Sequence, residues 1–177
     1  MEYKIPHSEL TFISMSENSD IDNFESFDSD LTEFLKEDAL ESQNERLSAT
    51  KLVYWKSELV GFFTLINDCL QAERINSGDG CDNYSYSKYP AIKIARLSTH
   101  KNYERMGIGL NILDEIMATS IYLSEQFGCR LITVDSKRES IGFYEKYDFK
   151  RAKGKVYDTT PMYLDFHRLL KAESIDE

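Results

Sequence analysis

The sequence predicts an α+β domain in which a mixed, mostly antiparallel central sheet of six to seven strands is flanked by helices on both faces. Two observations support this prediction. Short β-rich runs recur along the chain, and between them lie longer segments whose apolar residues repeat at helical spacing. A chain of 177 residues has the length of one domain, so we expect residues 1–177 to form a single domain.

The first part of the chain predicts a strand, a helix and a hairpin. We expect a short strand over Leu10–Ser14 and a helix over 31–44, where Asp30 and Glu33 match a capping-box pattern. The run KLVYWKSELVGFFTLI contains two β-rich stretches separated by the polar residues 56–58, which is typical of an antiparallel hairpin. Its second stretch is almost wholly apolar, which indicates a central strand.

The middle of the chain predicts a long loop, a strand and the longest helix. Residues 71–89 carry Gly, Ser, Asn and Asp without periodicity, and loops of this length are often functional. Pro90 leads into the strand AIKIARLST, and a polar turn and a helix follow. One face of that helix is expected to hold Leu110, Leu113, Ile116, Met117, Ser120, Leu123 and Phe127. Gly128 is expected to end it in the left-handed conformation.

The last part of the chain completes the predicted order. A strand is expected over Arg130–Asp135 and a helix over Glu139–Tyr147. Two short strands are expected around Phe149–Ala152 and Pro161–Phe166. No internal repeat or linker interrupts this order.

The composition is that of an acidic protein. Lys and Arg number 21 against 31 Asp and Glu, which gives a net charge of −10. Because nucleic-acid-binding proteins normally carry a basic footprint, nucleic acid is an unlikely partner on this criterion, and a cationic or neutral partner is expected. No apolar run approaches the ~18 residues of a membrane span, and the start of the chain is too polar for a secretory signal. We therefore expect a cytoplasmic protein without membrane contact.

The cysteines and histidines predict neither a disulfide framework nor a metal site. Cys69, Cys81 and Cys129 are too few and too irregularly spaced for a framework, so we expect three unpaired thiols. No CxxC or HExxH pattern is present, and no metal is predicted.

The clearest chemical signal is the turn YERMGIG between a strand and the long helix. A helix N-terminus presents unpaired backbone N–H groups and about half a positive charge, so a phosphate bound there is stabilised by hydrogen bonds and by the dipole. Gly107 and Gly109 would let the backbone approach such an anion closely. Taken alone, the pattern also fits a tight strand-to-helix turn that binds nothing.

Five blocks in one order extend this signal: VGFFTL, YPAIKIARLST, YERMGIG, RLITVD and SIGFYEKYDF. Over roughly residues 51–151 this series resembles the GNAT acetyltransferases. The resemblance implies the GNAT fold and an acyltransferase that passes an acetyl group from acetyl-CoA to a primary amine of a small molecule or protein. The helix DLTEFLKEDAL is similar to that of the family branch that includes tRNA-acetylating toxins of toxin–antitoxin pairs. Dimers are common in the family, so a homodimer is a further expectation.

The resemblance implies a diphosphate-binding loop. In the family, the loop reads Arg or Gln, two residues, Gly, one residue, Gly or Ala, and its amides cradle the pyrophosphate of coenzyme A. The matching positions here are Glu104, Arg105, Met106, Gly107, Ile108 and Gly109. Glu104 departs from the pattern, and its carboxylate is unfavourable near a diphosphate. Lys101 and Arg105 are expected to offset it.

The resemblance also implies a pantetheine-binding strand and a general acid. The backbone of Leu97, Ser98 and Thr99 would pair with the pantetheine amides. Gly142 matches a small-residue position close to the cofactor, and Tyr144 matches the tyrosine that protonates the departing thiolate. A phenol with an unperturbed pKa of about 10 keeps its proton until a thiolate of pKa about 8.5 forms.

Several assignments stay open at the level of sequence. The family's carboxylate base has no fixed position, and Asp68, Glu73 and His100 are alternatives for it. Asp148 replaces the family's usual Gly, although Asp tolerates the left-handed conformation better than most residues. The alternatives to a small-molecule or protein N-acetyltransferase are a toxin that acetylates aminoacyl-tRNA and a non-catalytic coenzyme A-binding module.

Overall fold

A computed structural model describes residues 3–173. Seven strands are assigned within this range: β1 (Leu10–Ser14), β2 (Ala49–Trp55), β3 (Glu58–Gln71), β4 (Lys88–Thr99), β5 (Leu131–Ser136), β6 (Lys150–Arg151) and β7 (Thr160–Asp165). The α-helices assigned there are α1 (Ser29–Glu33), α2 (Ala39–Asn44), α3 (Ile108–Ser124), α4 (Ile141–Glu145) and α5 (Phe166–Glu173).

The strands form one sheet in the order β1-β2-β3-β4-β5-β7-β6. β1 and β2, β2 and β3, β5 and β7, and β6 and β7 pair antiparallel, whereas Ala91–Ile94 of β4 pairs parallel with Leu131–Val134 of β5. The predicted mixed, mostly antiparallel sheet of six to seven strands is therefore confirmed.

The chain divides into two compact units. The first contains the residues up to Ile66 and Ala95–Glu115, and the second contains Asn67–Ile94 and the residues from Ile116 onward. The expected single domain over residues 1–177 stays a prediction. No helix among residues 3–173 is long and apolar enough to cross a membrane.

The first helical segment begins earlier than the sequence predicted. Asp28 is the N-cap of α1, and its carboxylate accepts a hydrogen bond of 3.1 Å from the backbone N–H of Asp30. The expected capping box of Asp30 and Glu33 is wrong, because Asp28 already fills the N-cap position two residues earlier. A π-helical turn over Phe34–Asp38 separates α1 from α2, and the segment ends at Asn44, as predicted.

The predicted hairpin is present, with a turn of two residues instead of three. Lys56 and Ser57 both have positive φ, 49° and 69°, and Trp55 pairs with Glu58. Positive φ at both central residues is the geometry of a type I′ turn, whose twist matches that of the flanking strands. The apolar stretch Val60–Thr64 of β3 is buried, which confirms the central position of this strand.

The apolar face of α3 differs from the predicted one. Its buried residues are Ile108, Ile112, Leu113, Ile116 and Ser120. Leu110 and Phe127 are about half exposed, at 45% and 48%, and their assignment to the core is wrong. Leu110 lies two positions from Ile108, which places the two side chains on nearly opposite sides of a helix. Phe127 follows the end of α3 at Ser124.

The end of α3 is another correction. The last turn closes with bonds from the N–H groups of Gln126 and Phe127 to the carbonyl of Leu123. Gly128 lies beyond this turn and does not adopt positive φ, so the predicted glycine C-cap is wrong. The helix ends through this tightened turn, which satisfies its last carbonyls without a left-handed residue.

The second unit holds its own core, formed by Leu70, Ile75, Tyr89, Ala91, Leu131, Ala152 and Tyr163. The predicted loop 71–89 is shorter than expected, because β3 reaches Gln71, a 3-10 turn follows over Ala72–Arg74, and β4 already begins at Lys88. α5 was not predicted. Asp165 caps it by accepting a hydrogen bond from the N–H of Arg168 at 3.3 Å. An Asp just before the helix was the sequence signal from which α5 could have been predicted. The three cysteines are free thiols, as predicted.

Candidate functional site

The turn before α3 contains two residues with positive φ within three positions. After the 3-10 turn Lys101–Tyr103, Glu104 is extended, and Arg105 and Gly107 take positive φ of 61° and 84°. Glycine adopts this conformation readily, whereas a residue with a Cβ atom does so at a cost. α3 then starts at Ile108.

The carbonyls of this turn bind the N-terminal segment of the chain. The N–H of Ile5 donates to the carbonyl of Met106 at 2.9 Å, and the Nζ of Lys4 donates to the carbonyl of Arg105. In a trans peptide unit the C=O and the following N–H point in opposite directions. The N–H groups of Met106 and Gly107 therefore point away from the N-terminal segment.

The amides that follow are those of a helix N-terminus. The backbone N–H of Asn111 donates to the carbonyl of Gly107 at 3.2 Å, which is the first hydrogen bond of the helical ladder. The N–H groups of Ile108, Gly109 and Leu110 therefore precede this ladder. In the part of the chain from residue 3 to residue 173, no hydrogen-bond acceptor is assigned to the N–H of Met106 or Gly107. The turn can therefore offer an anion the backbone N–H groups of residues 106–110 together with the helix dipole.

The charged side chains near the turn do not all act as predicted. Glu104 and Arg105 are exposed to solvent. Lys101 forms an ion pair with Glu25, and the hydrogen bond from this lysine lowers the pKa of the Glu25 carboxyl. Because the charge of Lys101 is already paired, Arg105 is the better candidate to offset Glu104.

The three residues predicted to bind pantetheine lie at the end of β4. Leu97 is half-buried, and Ser98 is buried with its hydroxyl donating to the hydroxyl of Ser26 at 2.9 Å. A Cβ added to Gly61 of β3 would lie 2.9 Å from the carbonyl oxygen of Ser98. The Ser98 side chain is thus engaged within the protein, which leaves the backbone of this residue as its candidate group for a ligand. Pantetheine binding by Leu97, Ser98 and Thr99 stays a prediction.

Tyr144 is held in place by the structure that ends α4. The N–H of Phe149 donates to the carbonyl of Tyr144 at 3.1 Å, and the N–H of Asp148 donates to the carbonyl of Glu145 at 3.1 Å. Asp148 has φ of 64°. These features define a Schellman motif, whose usual apolar contact is supplied here by the rings of Tyr144 and Phe149 at 5.3 Å. The expected left-handed conformation of Asp148 is confirmed.

The burial of Tyr144 sets its protonation state. Its side chain is 6% exposed and also contacts the ring of Phe143 at 5.0 Å. This burial raises the pKa of the phenol well above its usual value of 10. Tyr144 therefore stays protonated throughout the physiological range and can act as a proton donor.

Gly142 lies two residues before Tyr144 in α4. It is exposed, and a Cβ built on it would have no heavy atom within 4 Å. Nothing among residues 3–173 therefore requires a glycine at this position. The proximity of a cofactor to Gly142 stays a prediction.

The candidates for a general base differ in their surroundings. The Nδ1 of His100 accepts from the N–H of Asn102 at 3.1 Å, and its Nε2 lies 3.2 Å from the carbonyl oxygen of Asn23. Both ring nitrogens are therefore engaged by the backbone, which disfavours His100 as a base. Asp68 accepts from the hydroxyl of Thr133 at 2.6 Å, and the same oxygen lies 3.5 Å from the Nζ of Lys93.

Glu73, the third candidate base, lies in the 3-10 turn after β3 and is exposed. The base stays unassigned among the three candidates. No group of three or more His, Cys, Asp or Glu side chains placed to hold a metal ion occurs within residues 3–173.

The loop after β3 is fixed by a buried carboxylate that the sequence did not reveal. Asp79, 2% exposed, accepts from the Nζ of Lys150 at 2.8 Å, from the hydroxyl of Tyr163 at 2.7 Å and from Arg168. Burial alone would raise the pKa of Asp79, but the three hydrogen bonds outweigh it and the pKa is lowered. The loop is therefore anchored in the second unit through Asp79.

Comparison with known proteins gives one family and one fold. The model of the acetyltransferase (GNAT) domain family matches residues 51–151. Comparison of the sequence with curated proteins gives no significant match.

Among solved structures, AtaT complexed with acetyl-methionyl-tRNAfMet aligns with a TM-score of 0.83 and 15% identity, covering 92% of this chain and 98% of that one. A tyrosine-to-phenylalanine mutant of KacT aligns with a TM-score of 0.78 and 18% identity, covering 86% and 94%. AtaTR bound with AcCoA aligns with a TM-score of 0.74 and 16% identity, covering 92% and 98%. At these identities the likeness establishes the fold, which is the one the sequence predicted.

Proposed function

Because the chain belongs to the acetyltransferase (GNAT) domain family over residues 51–151, we propose that it transfers the acetyl group of acetyl-CoA to a primary amine of a small molecule or a protein. Membership in this family makes the chain an acyltransferase with acetyl-CoA as its donor, as the sequence predicted. The nature of the amine and the roles of individual residues belong to the proposal.

The observation that carries the proposal is the orientation of the turn before α3. The carbonyls of Arg105 and Met106 bind the N-terminal segment, so the N–H groups of Met106 and Gly107 face away from it, and the N–H groups of residues 108–110 precede the helical ladder. A diphosphate would be stabilised there by hydrogen bonds and by the helix dipole. Such a cradle uses backbone atoms only, so it does not require the family's Arg or Gln where this chain has Glu104.

Tyr144 supports the proposal as the proton donor for the leaving thiolate. The amine nitrogen forms a bond to the thioester carbonyl carbon, the C–S bond breaks, and coenzyme A departs as a thiolate. The phenol of Tyr144 is protonated when the thiolate appears and gives this proton to sulfur, and the proton that the acceptor nitrogen loses restores the phenol. We assign Tyr144 this role from the family motif and from its buried, protonated state.

The acceptor amine must lose a proton before it attacks. For a lysine-like amine at pH 7 this costs about 4.6 kcal/mol, since its unperturbed pKa is about 10.4. A carboxylate acting through water is the family's usual solution. The net charge of −10 favours an acceptor that is cationic before it is deprotonated.

The proposal is tested by donor binding and by turnover. Acetyl-CoA should raise the melting temperature, whereas NAD should not, and a screen of amines and peptides read by thiol release should find an acceptor. Tyr144→Phe should then lower kcat by about 100-fold or more while acetyl-CoA affinity is retained. Tyr122→Phe, at an exposed position on α3, is the matched control.

Equal stabilisation by acetyl-CoA and NAD would argue against the donor site. Binding of acetyl-CoA without turnover of any amine would favour the non-catalytic coenzyme A-binding module. An unchanged kcat in Tyr144→Phe would remove this residue from the mechanism.

A local concentration of basic residues favours a second candidate function, acetylation of aminoacyl-tRNA. Although the chain is acidic overall, residues 146–155 contain five Lys or Arg residues and one acidic residue. Lys150 and Arg151 are paired with carboxylates, but Lys153 and Lys155 are exposed, and they precede Tyr157, which is 80% exposed, by four and two positions in the chain. Exposed cations beside an exposed aromatic ring are typical of surfaces that contact phosphates and bases. AtaT, whose fold this chain shares, was solved with acetyl-methionyl-tRNAfMet.

This second candidate is tested with aminoacyl-tRNA as the acceptor. Acetylation should weaken steeply with salt, and replacing Lys153 and Lys155 together with Ala should lower both the rate and the salt dependence. The same replacement at Lys36 and Lys88, which lie outside this stretch, is the control. Absence of acetylated aminoacyl-tRNA, with normal growth of an expressing host, would eliminate this candidate.

A further inference from the structure

The N-terminal segment is bonded to the turn before α3 and to α3 itself. Ile5 is 2% exposed, its N–H donates to the carbonyl of Met106 at 2.9 Å, and its carbonyl accepts from the Nδ2 of Asn111 at 2.8 Å. One residue therefore joins the turn to the first part of the following helix. Because both bonds use backbone atoms of Ile5, the identity of its side chain does not determine them.

Lys4 adds a second attachment next to the first. Its Nζ donates to the carbonyl of Arg105, and its aliphatic stem runs beside Gly107, where an added Cβ would lie 3.5 Å from the Cδ of Lys4. Two successive carbonyls of the turn, those of Arg105 and Met106, are thus held on the side of the N-terminal segment.

The segment is itself anchored to β2. The ring of Tyr3 lies 6.4 Å from that of Trp55, and the indole Nε1 of Trp55 donates to Glu9 at 2.9 Å. The hydroxyl of Tyr3 donates to the same carboxylate at 3.3 Å. The ring of Tyr103, which ends the 3-10 turn, packs on Trp55 from 6.0 Å. Tyr3 and Glu9, which flank Lys4 and Ile5 in the chain, are therefore both attached to Trp55 or to each other.

These attachments hold a turn whose backbone conformation is unfavourable for one of its residues. Arg105 has φ of 61°, a conformation that a residue with a Cβ adopts at a cost. Bonds to the carbonyls of Arg105 and Met106 stabilise the peptide orientation that this φ requires. Without them, the turn would lose part of its preference for the conformation in which the N–H groups of Met106 and Gly107 face outward.

We propose that Lys4, Ile5 and Asn111 form a brace that orients the backbone amides of Met106 and Gly107 toward the diphosphate of the acyl donor. The inference rests on the proposed function, because it assumes that the donor binds at this turn. The three residues of the brace are positioning residues and touch neither the donor nor the acceptor.

Two substitutions separate the brace from a simple charge effect. Lys4→Met removes the donor to Arg105 together with a positive charge, whereas Asn111→Leu removes the donor to Ile5 without any change in charge. Lys4→Arg keeps a donor of similar reach and serves as the conservative rescue. Lys88→Met makes the same charge change at an exposed position of the second unit and is the control.

The measurements are the affinity for acetyl-CoA by calorimetry and the steady-state constants. If each brace variant leaves the turn in its binding conformation about one fifth of the time, its Kd rises about fivefold. The KM for acetyl-CoA should rise with it, while kcat at saturating donor and the KM for the amine stay at the wild-type value. Lys4→Arg and Lys88→Met should bind acetyl-CoA like the wild-type protein.

The outcomes distinguish the inference from the function on which it rests. Weaker donor binding in both Lys4→Met and Asn111→Leu, with rescue by Lys4→Arg, supports the brace. Wild-type affinity in Asn111→Leu overturns it, and this includes the case in which Lys4→Met alone binds more weakly, because that pattern is a charge effect. Absence of acetyl-CoA binding to the wild-type protein would instead refute the proposed function and the brace with it.

Discussion

Replacement of Gly142 with Ala should change stability and donor affinity in opposite directions. Gly142 is the second residue of α4, its φ is not positive, and an added Cβ meets no heavy atom within 4 Å. Ala is the better helix former, and a gain of about 0.5 kcal/mol in the free energy of unfolding is expected at this early position of a short helix. For a chain of this size the melting temperature of the ligand-free protein should rise by about 1–2 °C.

The same methyl group should weaken acetyl-CoA binding if the cofactor passes close to Gly142. The open space beside Gly142 would then be occupied by the ligand, and an extra methyl group in a packed contact costs about 1–3 kcal/mol. Since about 1.4 kcal/mol corresponds to a factor of ten in affinity, the Kd should rise by about 5-fold to 150-fold.

The assay pairs urea unfolding of the ligand-free variant with calorimetric titration of acetyl-CoA. Gly128→Ala is the matched control, because Gly128 is exposed, lies outside a helix and has only the ring of Pro90 at 4.0 Å from an added Cβ. It should change neither quantity. A more stable Gly142→Ala protein that binds acetyl-CoA with unchanged affinity would remove this residue from the cofactor site, and a destabilised protein would refute the helix argument.

Three further changes test the account elsewhere. Gly61→Ala should lower the free energy of unfolding by about 1–3 kcal/mol, because its Cβ would lie 2.9 Å from the backbone carbonyl of Ser98; an unchanged urea midpoint would contradict this packing. Asp79→Asn should cost about 1–3 kcal/mol in the same assay, since Lys150 and Arg168 lose the carboxylate that receives their hydrogen bonds, and a neutral result would mean that the loop is held by other contacts. Burial raises the pKa of Tyr163 to about 12 from 10, so its contribution to stability is constant below pH 10 and is lost as the pH rises toward 12. In Tyr163→Phe, the free energy of unfolding should therefore fall less steeply between pH 10 and 12, by the contribution of one proton. An unchanged pH dependence would show that the pKa of Tyr163 is not raised.

Features specified by short-range pattern were predicted best. The apolar run in β3 marked a central strand, and the buried stretch Val60–Thr64 confirms it. Asp148 was expected to tolerate the left-handed conformation, and the Schellman motif places it there because the bond from Phe149 to Tyr144 requires a left-handed residue between them. Both features depend on residues only a few positions apart.

The helix predictions failed where two local signals compete. Asp28 and Asp30 both resemble N-caps, and only the hydrogen bond from the N–H of Asp30 to Asp28 decides which of them begins the helix. Leu110 and Ile108 are both apolar near the start of α3, and the packing of Ile108 leaves Leu110 at the surface. The exposure of Leu110 is thus decided by tertiary packing, which a single window of sequence does not contain.

The parts that could not be predicted join residues far apart in the chain. Lys4 reaches Arg105 across 101 positions, and Asn111 reaches Ile5 across 106. Asp79 meets Tyr163 and Arg168 across more than 80 positions. Side chains of these types occur throughout an acidic soluble protein, and no spacing rule marks the pairs that meet in the folded chain.

Hydrogen exchange of individual backbone amides, followed by NMR with and without acetyl-CoA, tests the donor cradle most directly. The N–H groups of residues 106–110 precede the helical ladder, so they should exchange rapidly in the ligand-free protein and slow by about 10-fold or more when the diphosphate accepts their hydrogen bonds. The N–H of Asn111, already bonded to Gly107, serves as the internal reference. Unchanged exchange at 106–110, with slowing confined to other parts of the chain, would contradict the assignment of this turn as the donor site.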